Sequence, residues 1–345
     1  MLGTNLKSLS KEQIEAFIKD AGLPAFRGRQ IIHWIYERYA GTIQDISEFS
    51  KKLRDELSEK AFISNLVPVN RLTSADGTQK FLFGLRDGET IESVLIPDED
   101  RLTLCISSQA GCAMGCVFCL TGKLGLKRNL EAYEIVDQVI SVNRLILPRR
   151  ITNIVLMGMG EPLANFVNVL AAIDRICGFM NISPKRITLS TSGIAPKILE
   201  FGKRASKINL AISLNATTDA VRDIIMPVNK TCPIRTLLNT CREYPLQANR
   251  RITFEYVMLR GINDSLEDAR RLARLLKGIP AKVNLIPFNA YSGCDYEKPD
   301  DSTVLRFQEI LAQANMIVII RKSKGQDILA ACGQLKAGNK IGALR

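Results

Sequence analysis

Seven short apolar runs rich in β-branched residues recur along this chain: LTLCIS (102–107), TNIVLM (152–157), RITLST (186–191), INLAISL (208–214), ITFEYVM (252–258), KVNLIP (282–287) and MIVIIR (316–321). Helical patterns such as LEAYEIVDQVISVNRLI and LEDARRLARLLK separate them. Alternation of this kind, with strands apolar on both faces, predicts an α/β fold with a parallel sheet. Six or so such units are too few to close an eightfold barrel. No Gly-x-Gly-x-x-Gly follows a strand and opens a helix, and no Walker lysine motif occurs, so a dinucleotide- or P-loop-binding fold has no support. There is no internal repeat and no low-complexity linker.

Just after the first of these runs stands GCAMGCVFC, a CxxxCxxC cluster formed by Cys112, Cys116 and Cys119. Three thiolates at this spacing can hold a [4Fe-4S] cluster and leave its fourth iron without a protein ligand, which suits chemistry at the metal better than electron transfer alone. The competing reading is a zinc site built on Cys116 and Cys119. Structural zinc sites use paired CxxC or CxxC…HxxxH arrays, and this chain has no second CxxC and one histidine, His33. His33 lies in the apolar helical run IIHWIYERY, where a packing role is expected. Nine cysteines are an odd number, so the set reads as reduced thiols with dedicated roles and not as a disulfide framework. Cys177, Cys232, Cys241 and Cys294 have no motif around them and read as packing residues.

Residues 1–60 are expected to form a small three-helix module from LSKEQIEAFIKDAG, RGRQIIHWIYERYA and SEFSKKLRDELSEK, the last with Ser47 as its N-cap. Residues 78–97 alternate around Asp87-Gly88 and predict a β-hairpin. The expected domains are therefore 1–60 helical, 61–100 linker and hairpin, and 101–345 barrel with a C-terminal tail. The N-terminus lacks an apolar signal-type region and no stretch approaches a membrane span of about 18 residues. A soluble cytoplasmic protein is expected, with no membrane partner.

The formal charge is +12, from 47 Lys and Arg against 35 Asp and Glu, which biases the surface toward a polyanion. Residues 1–60 carry ten basic and nine acidic side chains, whereas 181–210 and 321–345 each carry six against one. The positive field is thus expected on the larger domain, where both segments could line a nucleic-acid channel or form a solvated basic face.

In barrels the ligand site lies at the carboxyl ends of the strands. There the sequence places Gly158-Met159-Gly160-Glu161-Pro162, whose glycines let backbone approach a ligand and whose carboxylate could accept from an ammonium. Ser190 and Ser192, then Ser213-Leu214-Asn215, and Asn289 end later strands; singly, such residues are also ordinary turn formers. Cys105 on the strand leading to the cluster and Cys332 in AACGQL could form a redox-coupled pair at the mouth. The alternative is two buried free cysteines. Glu92, on the hairpin, is either functional or a solvent-facing strand carboxylate.

The CxxxCxxC spacing with an aromatic at Phe118 is the signature of radical S-adenosylmethionine enzymes. With it, an open partial TIM-like (β/α)6 barrel is expected in preference to a flat doubly wound sheet. Taken in order, GCAMGCVFC, MGMGEP, LSTSG, AISLNA, NLIPFN and DILAACGQL closely resemble the RlmN/Cfr family of radical methyltransferases that modify adenosine in RNA, and LPAFRGRQIIHWIY resembles that family's helical accessory domain. The resemblance runs over nearly the whole chain. It implies that Cys112, Cys116 and Cys119 hold the cluster and that Gly160, Glu161, Ser190, Ser213, Leu214, Asn215 and Asn289 contact S-adenosylmethionine. It further implies that Cys332 carries the methyl group, Cys105 resolves the adduct and Glu92 is the base. Asn215 departs from the histidine that many relatives carry. The implied substrates are an adenosine of 23S rRNA in the peptidyl-transferase region and the adenosine 3′ to the anticodon in tRNAs, methylated at carbon 2. The resistance branch would act at carbon 8 of the same rRNA adenosine. An electron donor such as flavodoxin or ferredoxin is implied. A non-catalytic zinc-dependent RNA-binding protein would explain the charge and the cysteine cluster, but it leaves Cys332, Cys105 and GMGEP idle.

Overall fold

The computed structural model describes residues 3–336. Its first helices are α1 (Lys11–Asp20), α2 (Phe26–Tyr36) and α3 (Lys51–Lys60). Ser10 and Gln13 close a reciprocal capping box on α1. The N-cap of α3 is Ser50, whose hydroxyl accepts from the Leu53 amide, and not Ser47. Phe49 is buried and its amide closes a turn onto Ile46, so the chain needs those residues to seat the ring before the helix starts. Ile14, Ile18, Ile31, Ile35, Ile46 and Leu57 join Phe49 in the core. His33 does not pack into it: its side chain is 39% exposed and its Nδ1 lies 3.3 Å from the Glu37 carboxylate. Among the described residues no helix is long and apolar enough to cross a membrane.

The main sheet has ten strands. In chain order they are β1 (Pro68–Thr73), β2 (Gln79–Gly84), β3 (Thr90–Asp98), β4 (Arg101–Cys105), β5 (Asn153–Leu156), β6 (Ile187–Thr191), β7 (Asn209–Ser213), β8 (Ile252–Met258), β9 (Ala281–Pro287) and β10 (Ile317–Ile320). Each strand lies beside its neighbour in sequence. The links β1–β2, β2–β3 and β3–β4 are antiparallel, and those from β4 to β10 are all parallel. The hairpin expected at 78–97 is present as β2–β3, continuous with the parallel strands.

The parallel crossovers are made by α4 (Ala132–Ile146), α5 (Phe166–Phe179), α6 (Ala195–Ala205), the pair α7 (Asp219–Ile225) and α8 (Ile234–Glu243), α9 (Leu266–Leu276) and α10 (Asp301–Gln313). Because the order never reverses, right-handed crossovers all fall on one side of the sheet. A doubly wound sheet would reverse at a switch point; among the described residues there is none, and β1 and β10 form the two edges.

One expectation about these strands needs correction: they are not apolar on both faces. Leu104, Ile154, Leu156, Ile187, Leu189, Leu210, Ile212, Phe254 and Val283 face the core. The opposite face follows a line of register partners that runs Cys105, Val155, Thr188, Asn209, and on through Ala211–Thr253 and Ser213–Glu255–Asn284. Paired residues project to the same side, so this second face is largely polar. Crossover helices cover the first face, which frees the second for a ligand.

Candidate active site

The cysteine loop is framed by a small antiparallel ladder, Gln109–Gly111 against Leu126–Asn129. Its closeness depends on Gly111, at φ +77°, where a Cβ would lie 1.9 Å from the Gly125 carbonyl oxygen. Cys112 is buried, Cys116 and Cys119 are half-buried, and all three thiols are free. Phe118 packs into a separate apolar cluster with Ala216, Ile225, Met226, Leu259, Phe288 and Tyr291, which shields the loop from water. Burial pushes the Cys112 thiol up to about 11, with the neighbouring Cys119 and Glu161 adding to the rise. Burial also raises Cys116, again with Cys119 and Cys112 adding, and it raises Cys119.

Among the described residues no three Cys, His, Asp or Glu side chains converge as a preformed metal cage. The donor set nevertheless fits a cluster: three reduced thiols on one loop, within electrostatic reach of one another, with an apolar wall behind them. Their protons would leave as metal binds.

The loop after β5 lies directly against this segment. The Met159 carbonyl accepts from the amides of Ser108 (2.8 Å) and Gln109 (3.1 Å). A Cβ at Gly158 would lie 2.6 Å from the Ile106 carbonyl oxygen, and one at Gly160, φ +100°, would lie 2.5 Å from Gln109 Cβ. The immediate partner of these glycines is therefore the chain leading to the cysteine loop. Glu161 is buried; its Oε1 accepts from the Leu163 amide at 3.0 Å and its Oε2 from the Ser192 amide at 2.7 Å. That carboxylate ties β5 to β6 at the mouth. Ser190 and Ser213 are half-buried on the polar face.

Leu214 and Asn215 point elsewhere. Leu214 is fully buried, and the Asn215 side chain accepts from the Val257 amide at 2.8 Å and donates to Met226 Sδ at 3.1 Å. At φ +57° Asn215 occupies the left-handed region, which asparagine tolerates. Its amide is committed to holding the turn.

The C-terminal segment closes over the same mouth. Cys332 is solvent-accessible but surrounded: burial first, then the charge of Glu255, raises its thiol, with Arg321 opposing and Cys119 adding. Cys105 on β4 is buried, and after burial the nearby Cys332 is the next cause that raises its thiol. Asn289 Nδ2 donates to the Cys332 carbonyl at 3.3 Å, and its Oδ1 accepts from Gln326 at 2.7 Å. Glu92 is not solvent-facing. It is 4% exposed, pairs with Lys80 at 3.2 Å, and accepts from the Lys336 amide at 2.8 Å. Burial raises its carboxyl, with Lys80 opposing.

The fold therefore brings together Cys105, Cys332, Cys119, Glu92 and Asn289, which 240 residues of sequence separate at the extremes. It also recruits residues that sequence reading passed over. Arg222 is fully buried and donates to the carbonyls of Ser192 (2.7 Å), Ser213 (3.1 Å) and Leu214 (2.9 Å), fastening two strand ends. Glu255 accepts from Asn284 at 2.9 Å on the polar face. The out-of-phase polar residue inside ITFEYVM was the available signal.

A singly wound parallel sheet whose carboxyl edge carries a three-cysteine loop defines a radical S-adenosylmethionine enzyme. Residues 106–274 match the family described as "Radical SAM superfamily", and residues 4–63 match "Ribosomal RNA large subunit methyltransferase N-terminal domain". The chain is 51% identical over 344 residues to a protein of Pelobacter propionicus named "Dual-specificity RNA methyltransferase RlmN", covering 99% of this chain and 98% of that one. A protein of the same name from Geobacter sulfurreducens is 50% identical over 343 residues, covering 99% and 94%. The crystal structure of a radical SAM methyltransferase from Sphaerobacter thermophilus superposes with a TM-score of 0.93 at 40% identity, covering 97% of this chain and 100% of that one. The chain belongs to the RlmN family of radical S-adenosylmethionine RNA methyltransferases, so the reading as a zinc-dependent binding protein is set aside.

Proposed function

We propose that this enzyme methylates carbon 2 of an adenosine in the peptidyl-transferase region of 23S rRNA and of the adenosine 3′ to the anticodon in tRNAs, through a methyl group carried on Cys332. The observation that carries this reading is that Cys332 lies within electrostatic reach of Cys105 and Cys119, on a segment whose Lys336 amide donates to the Glu92 carboxylate. The relatives' shared name supplies RNA as the substrate and dual specificity as its breadth.

Cys112, Cys116 and Cys119 would hold the [4Fe-4S] cluster. Gly160, Glu161, Ser190, Ser213 and Asn289 line the place for S-adenosylmethionine; Leu214 and Asn215 act there through backbone and turn geometry. When bound, the pair supplies a methyl group and a radical able to take hydrogen from an unactivated carbon. The ring carbons of adenine are electron-poor, so radical addition succeeds where direct attack on a sulfonium fails. Cys332 serves as the nucleophile that carries the methyl group in ping-pong fashion, and its accessibility suits that task. Glu92 removes the ring proton. Cys105 then attacks Cys332 Sγ as a thiolate: a sulfur–sulfur bond forms as the sulfur–carbon bond to the base breaks, the carbon keeps that bond's electron pair and takes up a proton to become the methyl group, and the surplus electron left by radical addition passes to a one-electron acceptor. The resulting disulfide calls for a reductant each turnover, and the cluster for an electron donor such as flavodoxin or ferredoxin. Residues 1–60 act as the RNA-binding accessory domain, 61–100 join it to the core, and 101–345 hold the chemistry.

Mass spectrometry of nucleosides from 23S rRNA and tRNA, incubated with the reconstituted enzyme, S-adenosylmethionine and reductant, tests the reading. 2-Methyladenosine in both RNAs is the expected result, and 8-methyladenosine or no methylated adenosine would overturn it.

A further inference from the structure

Lys80 has no place in the scheme above, yet it occupies its centre. It lies on β2 opposite Val94, whose partner on its other side is Cys105, while Glu92 lies opposite Leu82. Lys80, Glu92 and Cys105 thus project from one face of three adjacent strands. The Lys80 side chain is 9% exposed. Its ammonium lies against two oxygens: Glu92 Oε1 at 3.2 Å and the Leu329 carbonyl at 3.1 Å. Leu329 precedes Cys332 by three residues and sits at φ +52°, a left-handed conformation that leucine adopts only when its surroundings impose it. The other Glu92 oxygen accepts from the amide of Lys336, on the far side of Cys332. One buried ion pair therefore grips the segment that bears Cys332 on both flanks. Such a pair is weak evidence for stability, since apolar side chains of similar volume stabilise as well or better, which directs attention to function.

We propose that Lys80 is a positioning residue for proton removal: its ammonium fastens the Glu92 carboxylate to the Cys332 segment, so that base and methyl-bearing sulfur reach the target carbon as one unit. The inference rests on the reading of Glu92 as the base. In the step it serves, the bond between ring carbon and hydrogen breaks, the electron pair stays with the ring, and the proton passes to a Glu92 oxygen. Two groups that face Glu92 are the charge of Lys80 and the Lys336 amide, with the Cys105 thiol on the same sheet face. Burial favours a neutral Glu92, and Lys80 heads the opposing influences. Without that charge burial is less opposed and the neutral carboxyl, which cannot accept, is favoured further.

The test compares Lys80→Met, Lys80→Arg and Glu92→Gln in the full-length, cluster-loaded enzyme with RNA, S-adenosylmethionine and reductant. In Lys80→Met, Cys332 should still acquire its methyl group by protein mass spectrometry. A denaturation-resistant protein–RNA adduct should then accumulate at neutral pH, with release of methylated RNA down about a hundredfold. Raising the pH should recover release, as the neutral Glu92 ionises, and Lys80→Arg should keep most turnover. In the unloaded protein, maleimide should label Cys332 several-fold faster in Lys80→Met. Normal turnover by Lys80→Met, or a stall before Cys332 is methylated with no recovery at higher pH, overturns the proposal. Normal turnover by Glu92→Gln overturns the base reading itself, whereas a stall by Glu92→Gln beside normal turnover by Lys80→Met removes only the role of Lys80.

Discussion

At the scale of single residues, the glycines of GMGEP show how a motif can be legible while its reason is not. The motif predicts a strand end beside a ligand, and the structure places it after β5 against the segment that leads to the cysteine loop. What the glycines first admit is the Ile106–Gln109 backbone, packed so closely that side chains at 158 and 160 would overlap it. Gly160→Ala adds a methyl group where φ is +100° and Gln109 cannot retreat without pulling on the cysteine loop. The expected loss is about 1–3 kcal/mol from overpacking alone, measurable as a lower urea midpoint at unchanged slope. Cys105 offers a cleaner functional test. Cys105→Ala should still load the methyl group and add to RNA, since neither step needs its thiol. A covalent protein–RNA species should then accumulate, and it should be absent from the Cys105→Ala, Cys332→Ala double variant. Normal multiple turnover by Cys105→Ala would return Cys105 to the role of a buried strand residue.

At the scale of elements, the seven parallel strands were readable because buried β-branched runs carry their own signal. The two faces of those strands were not. Thr188, Ser190, Ser213, Glu255 and Asn284 are scattered polar interruptions in sequence and form one surface only after six ladders set the register. Nor could sequence show how the Cys332 segment is fixed, since its partners lie some 250 positions away. Ser74 donates to Asp327 at 2.6 Å, and the Gly325 amide donates to Asp76 at 2.9 Å, a reciprocal latch between the β1–β2 turn and the start of that segment. Burial pushes the Asp76 carboxyl up, but hydrogen bonds from Thr78, Gly325 and Ser74 together hold it down to about 2. A carboxyl with a depressed folded pKa stabilises above its unfolded value of 3.8 and loses that contribution as the pH falls toward 2. The latch should accordingly loosen between those limits. Asp76→Asn should mimic the acid state at neutral pH, with faster amide exchange confined to residues 325–336; uniform acceleration across the sheet, or none, would refute the latch.

At the scale of the whole molecule, the helical module is joined to the core by a buried charge pair that composition gave no hint of. Lys7 and Asp137, each 1% exposed, meet where the N-terminal segment crosses α4, and Asp137 also accepts from the Leu66 amide at 3.1 Å. Arg175 reaches back to the Lys7 carbonyl at 2.7 Å. Lys7→Met strands a buried carboxylate and should cost roughly 3–5 kcal/mol, while Lys7→Met with Asp137→Leu should recover most of it, as read by denaturant unfolding. The fold sets the two basic segments apart. Lys185 and Arg186 precede β6, and Lys203, Arg204 and Lys207 precede β7, so five of the six basic residues of 181–210 lie at the amino edge of the sheet, opposite the mouth, while Lys197 follows β6 and pairs with Glu200. The segment from 321 does follow the last strand and leads to Cys332; its residues beyond 336 lie outside those described. This segment is therefore the one expected to guide an RNA strand toward the site. Lys322 is exposed there. Lys322→Glu should weaken RNA binding and shrink the slope of log affinity against log salt by about 0.7–0.9 for each phosphate no longer neutralised, whereas Lys203→Glu with Arg204→Glu should leave that slope nearly unchanged. Filter binding across a salt series decides between them, and a larger effect at 203–204 would move the RNA path to the opposite edge.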